Sequence, residues 1–175
     1  MIVKDFFRKQ ALRKWSSKIP TAIIPLSEVK TAVAFLDVED TSFDDCKVAL
    51  TSYFKANNIR GEIFYFDFRR IGSDELLITS ITNTVLRKDI NWYGKPSDEK
   101  LALLDSIEPD MLISLIGNEI FTCEFAARYC KARFKVGRYQ LSDRTFDLVV
   151  GDPSDRKLLQ IESFEGIKQF IDKIR

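Results

Sequence analysis

Histidine is absent from this 175-residue sequence, and its absence removes several kinds of chemistry. Without it the chain cannot assemble Ser-His-Asp or Cys-His catalysis or a His-ligated zinc site, and it lacks the side chain that usually titrates near pH 7. The three cysteines, Cys46, Cys123 and Cys130, form no CxxC pair and are too few for a four-cysteine zinc site. We therefore expect buried thiols and predict neither a metal site nor a catalytic residue.

Glycine is also scarce, with seven copies that are never closer than eleven positions apart. Neither GxGxxG nor GxxxxGK[ST] can occur at such spacing. Those loops hold the phosphates of dinucleotides and nucleoside triphosphates. We therefore predict no cofactor of either kind.

The sequence also lacks a long apolar run. No segment approaches the roughly 18 apolar residues of a membrane-spanning helix, and the N-terminus mixes bases with aromatics, unlike a signal peptide. Hydrophobic residues still make up 45% of the chain, which is enough for a core, and the net charge is only +1. These features predict a soluble, cytoplasmic protein.

Segments typical of strands and helices alternate along the chain. The predicted strands are Thr31–Asp37, 61–68, 85–90, 109–117, 132–139 and 146–153, with 76–84 undecided between strand and helix. The predicted helices are 3–19, 41–58, 97–107, 118–130 and 163–175. This alternation predicts a three-layer α/β/α sandwich on a mainly parallel, Rossmann-like sheet of about five to seven strands. We expect one α/β domain over residues 21–175, with a basic helix in residues 1–20 appended to it.

The N-terminal helix is the most charged part of the chain. Residues 1–20 contain six bases and one acid, together with Phe6, Phe7 and Trp15. The preferred interpretation is that this helix packs on its own domain or on a second subunit, so the expected partners are another protein or a second copy. Because bases mixed with Phe and Trp are typical of interfacial helices, peripheral contact with an anionic membrane stays open; nucleic acid is less favoured.

The ends of the predicted strands are where a ligand would bind in an open α/β sheet. Asp37 ends the first strand and, with Glu39 and Asp40, could bind Mg²⁺. The preferred interpretation is that Asp40, Thr41 and Ser42 cap the next helix while the other acids stay solvated, with Ser42 and Asp45 forming a capping box. After a later strand, Asn118 is expected to cap the next helix, which would leave backbone N–H groups suited to an anion.

Charged residues near two other strands are further candidates. Asp67 stands where dinucleotide-binding folds keep a ribose-binding acid, but a surface ion pair is the preferred interpretation. Arg133, Lys135 and Arg138 surround "FKVG". They could meet a phosphate or the acids at 37–45, although an edge strand protected by charge would explain them without a ligand.

The segment "LRKDINWYGKP", residues 86–96, is the least ordinary part of the sequence. Gly94 and Pro96 predict a turn before a helix capped by Ser97. Leu86, Ile90 and Trp92 are predicted to fill the core. Turn geometry does not require an asparagine beside Trp92 and Tyr93 followed by a lysine. We therefore keep Asn91, Trp92 and Lys95 as candidate ligand-binding residues.

Several segments together resemble a known family. "KDINWYGKP", "DMLISL", "ARFKVGRY" and "FDLVV", after a basic N-terminal helix, resemble a family of uncharacterised proteins from Bacteroidetes. In addition, "FAARYCKARFKVGRY" after "DMLISL" is similar to the N-terminal half of heptosyltransferase-like glycosyltransferases, which implies a Rossmann-like fold. Those enzymes use a second such domain to bind the nucleotide sugar.

Two functional hypotheses follow. The leading one is a non-catalytic binding or assembly module. The alternative is a small-molecule binder or an enzyme acting on a phosphorylated or sugar-nucleotide ligand. In that alternative Asp37 and Asn118 border the site, and Arg133, Lys135 or Arg138 supplies positive charge.

Overall fold

The computed structural model describes residues 1–70, 72 and 77–174. Within them, six strands form one parallel sheet in the order β3-β2-β1-β4-β5-β6. The strands are β1 Thr31–Asp37, β2 Arg60–Asp67, β3 Thr84–Leu86, β4 Met111–Ser114, β5 Phe134–Gly137 and β6 Leu148–Val149. The predicted Rossmann-like α/β class is confirmed.

Helices cover both faces of this sheet. They are α1 Ile2–Trp15, α2 Phe43–Ala56, α3 Asp98–Ile107, α4 Phe121–Tyr129 and α5 Gln160–Ile171. Helices α2 and α5 share one buried cluster with the sheet, and α3 and α4 share a second. Helix α1 packs outside the second layer, where Ala11 meets Leu101 of α3 and Phe125 of α4. Among the described residues, no helix has the length and apolar character needed to cross a bilayer.

Strand β1 shows why the central sequence is so uniformly apolar. Its five inner residues are all buried, with Ala34 in the cluster under α2 and α5 and Phe35 in the cluster under α3 and α4. A strand that is covered on both faces gains burial at every position, so it reads as a continuous apolar run. Truncating a fully buried side chain such as Phe35 to alanine costs about 3–5 kcal/mol.

Strand β3 is shorter than the strand predicted at 85–90. It ends at Leu86, and a 3₁₀ turn follows over Arg87–Asp89. The Asp89 carboxylate accepts the Leu86 N–H (2.9 Å), which turns the backbone away from the sheet. Of the undecided segment 76–84, residue 76 lies outside the described residues and Thr84 begins β3.

The strand order reverses between β1 and β4, the two central strands. In open α/β sheets this switch point is where ligands bind, beyond the carboxyl ends of the strands. The order also corrects one prediction, because β5 pairs with both β4 and β6 and is therefore not an edge strand. Its charged residues must have another explanation.

Candidate functional site

The carboxyl end of β1 is joined to the start of α5. Gln160 is 0% exposed. Its Oε1 accepts the Asp37 N–H (2.8 Å) and its Nε2 donates to the Asp37 carbonyl oxygen (2.8 Å). Sequence reasoning did not find Gln160, because its partner lies 123 positions away. The amide therefore fills part of the switch-point crevice with the protein's own side chain.

The loop after β1 caps α5 rather than the helix that follows it. Asp40 Oδ2 accepts the Gln160 N–H (3.2 Å), and Ser42 Oγ accepts the Ile161 N–H (3.1 Å). Ser42 also donates to Asp40 (2.7 Å) and makes no side-chain cap bond to α2, so the predicted capping box with Asp45 is wrong. Among the described residues no group of three acidic or sulfur side chains could hold a metal.

The surroundings of Asp37 shift the ionisation of its carboxyl group. Burial raises its pKa, and the nearby charges of Glu39 and Asp40 act in the same direction, while the Glu39 N–H that donates to Asp37 Oδ1 (2.9 Å) opposes them. Its charged form is thus disfavoured in the folded protein. Such a group is a functional-site candidate on physical grounds.

Arg138 lies next to this region and is committed to structural partners. Its guanidinium forms two bonds with the Asp152 carboxylate (3.0 and 3.2 Å) and donates to the Leu158 carbonyl oxygen. It packs so closely on Gly117 that a Cβ there would lie 2.9 Å from the guanidinium carbon. Arg138 therefore ties the segment before α5 to the end of β5.

Asn118 is exposed and does not cap α4. That helix begins at Phe121 with Ile120 as its N-cap, since the chain makes an extra turn in which the Ile120 N–H donates to the Asn118 carbonyl oxygen (3.2 Å). The predicted cap at Asn118 is wrong. Asp37 ends β1, Asn118 follows β4 and Arg138 follows β5, all on the carboxyl side of the sheet, but their role as ligand-binding residues stays a prediction.

The other two bases of the "FKVG" region lie elsewhere. Arg133 pairs with Asp110 (3.0 Å), which precedes β4 at the opposite end of the sheet. Lys135 is buried, and its Nζ donates to the Ala127 carbonyl oxygen of α4 (2.8 Å); burial lowers its pKa. The three bases therefore do not converge, and the idea that they meet one phosphate or the 37–45 loop is wrong.

Asp67 is 0% exposed, so the predicted surface ion pair is only half right. The pair exists, because Arg69 donates to both carboxylate oxygens (2.8 and 2.7 Å), and those bonds lower the pKa of Asp67. The carboxylate is nonetheless buried, since it closes a turn at the end of β2, where the Arg69 N–H also donates to it (3.2 Å).

Asn91 organises the corner at residues 91–95. Its Oδ1 accepts the N–H groups of Tyr93 (3.2 Å), Gly94 (3.0 Å) and Lys95 (2.9 Å), a turn that explains asparagine at this position. Trp92 projects outward from it and is 60% exposed, so its predicted place in the core is wrong. The Lys95 ammonium pairs with Asp98 (2.5 Å).

The corner is the surface on which α1 docks. Arg8 Nε donates to the Tyr93 carbonyl oxygen (2.8 Å), and its guanidinium lies over the Phe121 ring (4.7 Å). Thr122 of α4 donates to the Gly94 carbonyl oxygen (2.8 Å). The Phe7 ring meets the Trp92 ring edge to face at 5.1 Å. The corner therefore links α1 to α4.

Docking of α1 leaves an exposed apolar surface, which we call the aromatic surface. It consists of Ile2, Val3, Phe6, Phe7 and Trp92. The Phe6 side chain is 62% exposed although its ring touches that of Phe7 (5.8 Å). The exposed bases of α1, Lys4, Lys9, Arg13 and Lys14, occupy the same helix, with Asp5 as its acid. The sequence signal for this surface was the mixture of aromatics and bases in residues 1–20.

A second feature of α1 is a cavity of about 770 Å³ on its other flank, which we call the basic cleft. It lies between the helix and the turn at Ser142 and Asp143. Its charged lining residues are Lys9, Arg13, Lys18, Arg128 and Asp143. Four cations therefore line the cleft with one carboxylate.

The sequence matches a family of unknown function (DUF6913) over residues 4–168. That match covers nearly the whole chain, and the chain belongs to this family. The resemblance in the sequence to a family of uncharacterised proteins is confirmed to that extent. No curated protein and no solved structure matches the chain.

Proposed function

We propose that this chain is a non-catalytic binding module that docks onto an anionic membrane surface through the aromatic surface. The observation that carries the proposal is the exposure of Phe6 (62%) on α1 and of Trp92 (60%) on the corner beside it, where α1 also presents four exposed bases. Exposed contiguous apolar patches rimmed by polar groups mark interaction sites in soluble domains.

The filled switch point supports binding rather than catalysis. Gln160 and Arg138 are both buried there and are both held by the protein's own groups, Asp37 and Asp152. A ligand at the usual position would have to displace these bonds. The heptosyltransferase-like alternative requires that position to be open, and it stays a prediction, as does an origin in Bacteroidetes.

Charge favours a lipid surface over a protein partner. Helix α1 combines bases with apolar side chains at the aromatic surface. The exposed bases are Lys4, Lys9, Arg13 and Lys14. The exposed apolar side chains include two aliphatic ones, Ile2 and Val3, and two large aromatic ones, Phe6 and Trp92. Bases near an anionic leaflet contribute about 1 kcal/mol each, and burying a large apolar side chain contributes about 1.5–3 kcal/mol. Such a surface suits reversible attachment in the plane of the headgroups.

Vesicle binding tests the proposal. We expect the chain to sediment with vesicles of phosphatidylcholine and phosphatidylserine and not with phosphatidylcholine alone. The variant Phe6→Ser/Trp92→Ser should bind about tenfold more weakly or worse, since it removes two inserted side chains. Val48→Ser/Phe170→Ser is the matched control, because it removes exposed apolar side chains from α2 and α5.

A second readout locates the contact. In a Trp15→Phe background Trp92 is the remaining tryptophan, and its emission should shift to the blue on vesicle addition. Sedimentation that is the same for the aromatic variant, the control and the unmodified chain would overturn the proposal. So would failure of the unmodified chain to bind anionic vesicles.

A further inference from the structure

We propose that the basic cleft is a binding site for a phosphate-bearing ligand. The cleft runs along α1, beside the turn that carries Ser142 and Asp143, and Arg128 of α4 forms part of its wall. Its volume of about 770 Å³ lies within the range of roughly 300–1,000 Å³ typical of small-molecule sites. The site does not require that the aromatic surface bind a membrane.

Three cations of the cleft are available to a ligand. Lys9, Arg13 and Lys18 are exposed, and within the described part of the chain none of them makes an ion pair or side-chain hydrogen bond. Unpaired bases around one concave site attract anions and raise their local concentration. An arginine adds a planar fork that matches two phosphate oxygens.

Arg128 is the fixed member of the cluster. Its side chain is only 10% exposed, and it pairs with Glu124 of its own helix (2.8 Å). One Nη group donates to Ser142, to both the carbonyl oxygen (3.0 Å) and Oγ (2.7 Å). Its buried Nε has no hydrogen-bond partner in the described structure. Arg128 therefore brings a pre-positioned guanidinium to the cleft wall.

Asp143 occupies the position where a phosphate would meet Arg128. Its carboxylate accepts from the other Nη of Arg128 (3.1 Å), yet the side chain is 80% exposed. An exposed carboxylate gives up such a bond at small cost. A phosphate that replaced it would meet Arg128 together with the free bases. Asp143 is thus a built-in competitor for the ligand.

Phosphate is favoured over a carboxylate ligand because four cations face the cleft and a phosphate supplies more charge and more acceptor oxygens. The phosphate can belong to a lipid headgroup or to a soluble molecule. The cleft and the aromatic surface share α1, so a lipid could engage both at once.

Titration with inorganic pyrophosphate tests the site. We expect calorimetry to detect binding of pyrophosphate, and we expect NMR chemical-shift changes at the backbone amides of α1 and of residues 142–143. Arg13→Gln/Lys18→Gln should weaken it at least tenfold, while Lys55→Gln/Arg60→Gln, which removes equal charge from exposed positions outside the cleft, should leave it within twofold. Asp143→Asn should bind several-fold more tightly, since the competing carboxylate is gone.

The outcomes distinguish a lipid headgroup from a soluble phosphate as the ligand of the cleft, and they distinguish failure of the cleft proposal from failure of the membrane proposal. The protein is first compared on vesicles that contain a phosphorylated inositol lipid and on phosphatidylserine vesicles of equal charge. Tighter binding to the inositol-lipid vesicles, lost in the cleft variant, identifies a lipid headgroup as the ligand. Equal binding to both vesicles with retained pyrophosphate binding identifies a soluble ligand. Phe6→Ser/Trp92→Ser should leave pyrophosphate binding unchanged.

Three results would overturn the proposal that the cleft binds a lipid headgroup or a small soluble phosphate. One is the absence of pyrophosphate binding at millimolar concentration. Another is an equal loss of affinity in the cleft variant and in the charge-matched control, which would indicate general electrostatics. The third is a single-stranded RNA oligonucleotide that binds through the cleft far more tightly than pyrophosphate, which would make the partner a nucleic acid.

Discussion

Gln160 holds both backbone groups of Asp37. The Asp37 N–H donates to the Gln160 side chain and its carbonyl oxygen accepts from the same amide, each at 2.8 Å. The glutamine side chain thus continues the hydrogen bonding of β1 past the end of the sheet. It also places α5 against the carboxyl end of the central strand.

Replacing Gln160 with alanine should destabilise the protein strongly. The change leaves the Asp37 N–H and carbonyl oxygen without their partner, and a buried unsatisfied group costs about 1–3 kcal/mol. We expect a loss of about 2–4 kcal/mol in the free energy of unfolding, measured in urea. Gln140→Ala is the matched control, because Gln140 is exposed and, among the residues that the structure describes, its side chain donates only to the neighbouring Leu141 carbonyl oxygen. Similar stabilities for the two variants would contradict the structural role.

Asp37→Asn should stabilise the protein at neutral pH. Burial raises the folded-state pKa of Asp37 above its ordinary value of 3.8. Between the unfolded and folded pKa values the folded state binds more protons, so stability falls as pH rises through that window. Asparagine cannot ionise but can still accept the Glu39 N–H. The advantage of the variant should therefore be present at pH 7 and shrink as pH falls toward 3.8.

Urea unfolding at several pH values measures this effect. Asp155→Asn, which removes an exposed carboxylate from a turn, serves as the charge-matched control. A variant of Asp37 that is less stable than the unmodified chain at pH 7 would show that the charge is stabilised by its surroundings.

Asn91→Ala should loosen α1. The asparagine accepts three N–H groups at the corner to which Arg8 binds. Losing them should cost about 1–3 kcal/mol and speed amide hydrogen exchange in α1 more than in β1. Asn118→Ala removes an exposed asparagine side chain and should change stability by less than about 0.5 kcal/mol. An unchanged rate of amide hydrogen exchange in α1 would show that the corner does not stabilise the docking of that helix.

Two Gly→Ala substitutions should have opposite signs. Gly166 lies inside α5, where a Cβ would make an ordinary contact with Val150 at 3.6 Å, so alanine should stabilise by about 0.5–1 kcal/mol. At Gly117 the Cβ would lie 2.9 Å from a guanidinium held by Asp152, and we expect a loss of about 1–3 kcal/mol. Thermal unfolding of both variants checks the pair; a shift in the same direction would contradict it.

Elements defined by local pattern could be predicted from the sequence. Strand β1 has the predicted bounds, Thr31–Asp37, because burial on both faces leaves a continuous apolar run. Ser97 caps α3 as predicted, and its Oγ accepts the Lys100 N–H (3.4 Å). Both features depend on residues within a few positions of each other.

The candidate site could be predicted only in part, because its contacts are long-range. The pairing of Arg8 with Tyr93 spans 85 positions, and no periodicity in the sequence signals it. The Lys135 side chain is buried against α4, and β6, a strand of two residues, covers the edge of β5. The sequence predicts a strand at 146–153 but not its place beside β5, so a charged edge was the natural interpretation. Trp92 was assigned to the core because aromatic residues are usually buried, whereas here α1 leaves it in solvent.

The pairing of Gln160 with Asp37 also bears on the order of folding during synthesis. The end of the first strand finds its partner 123 positions later, in the last described helix. A ribosome-bound chain can form β1 and α2 early. The backbone groups of Asp37 and the acids of its loop gain their hydrogen-bond partners only after α5 has emerged. Contacts of such high sequence separation slow folding. The centre of the sheet should therefore be among the last regions of the nascent chain to gain protection from proteases.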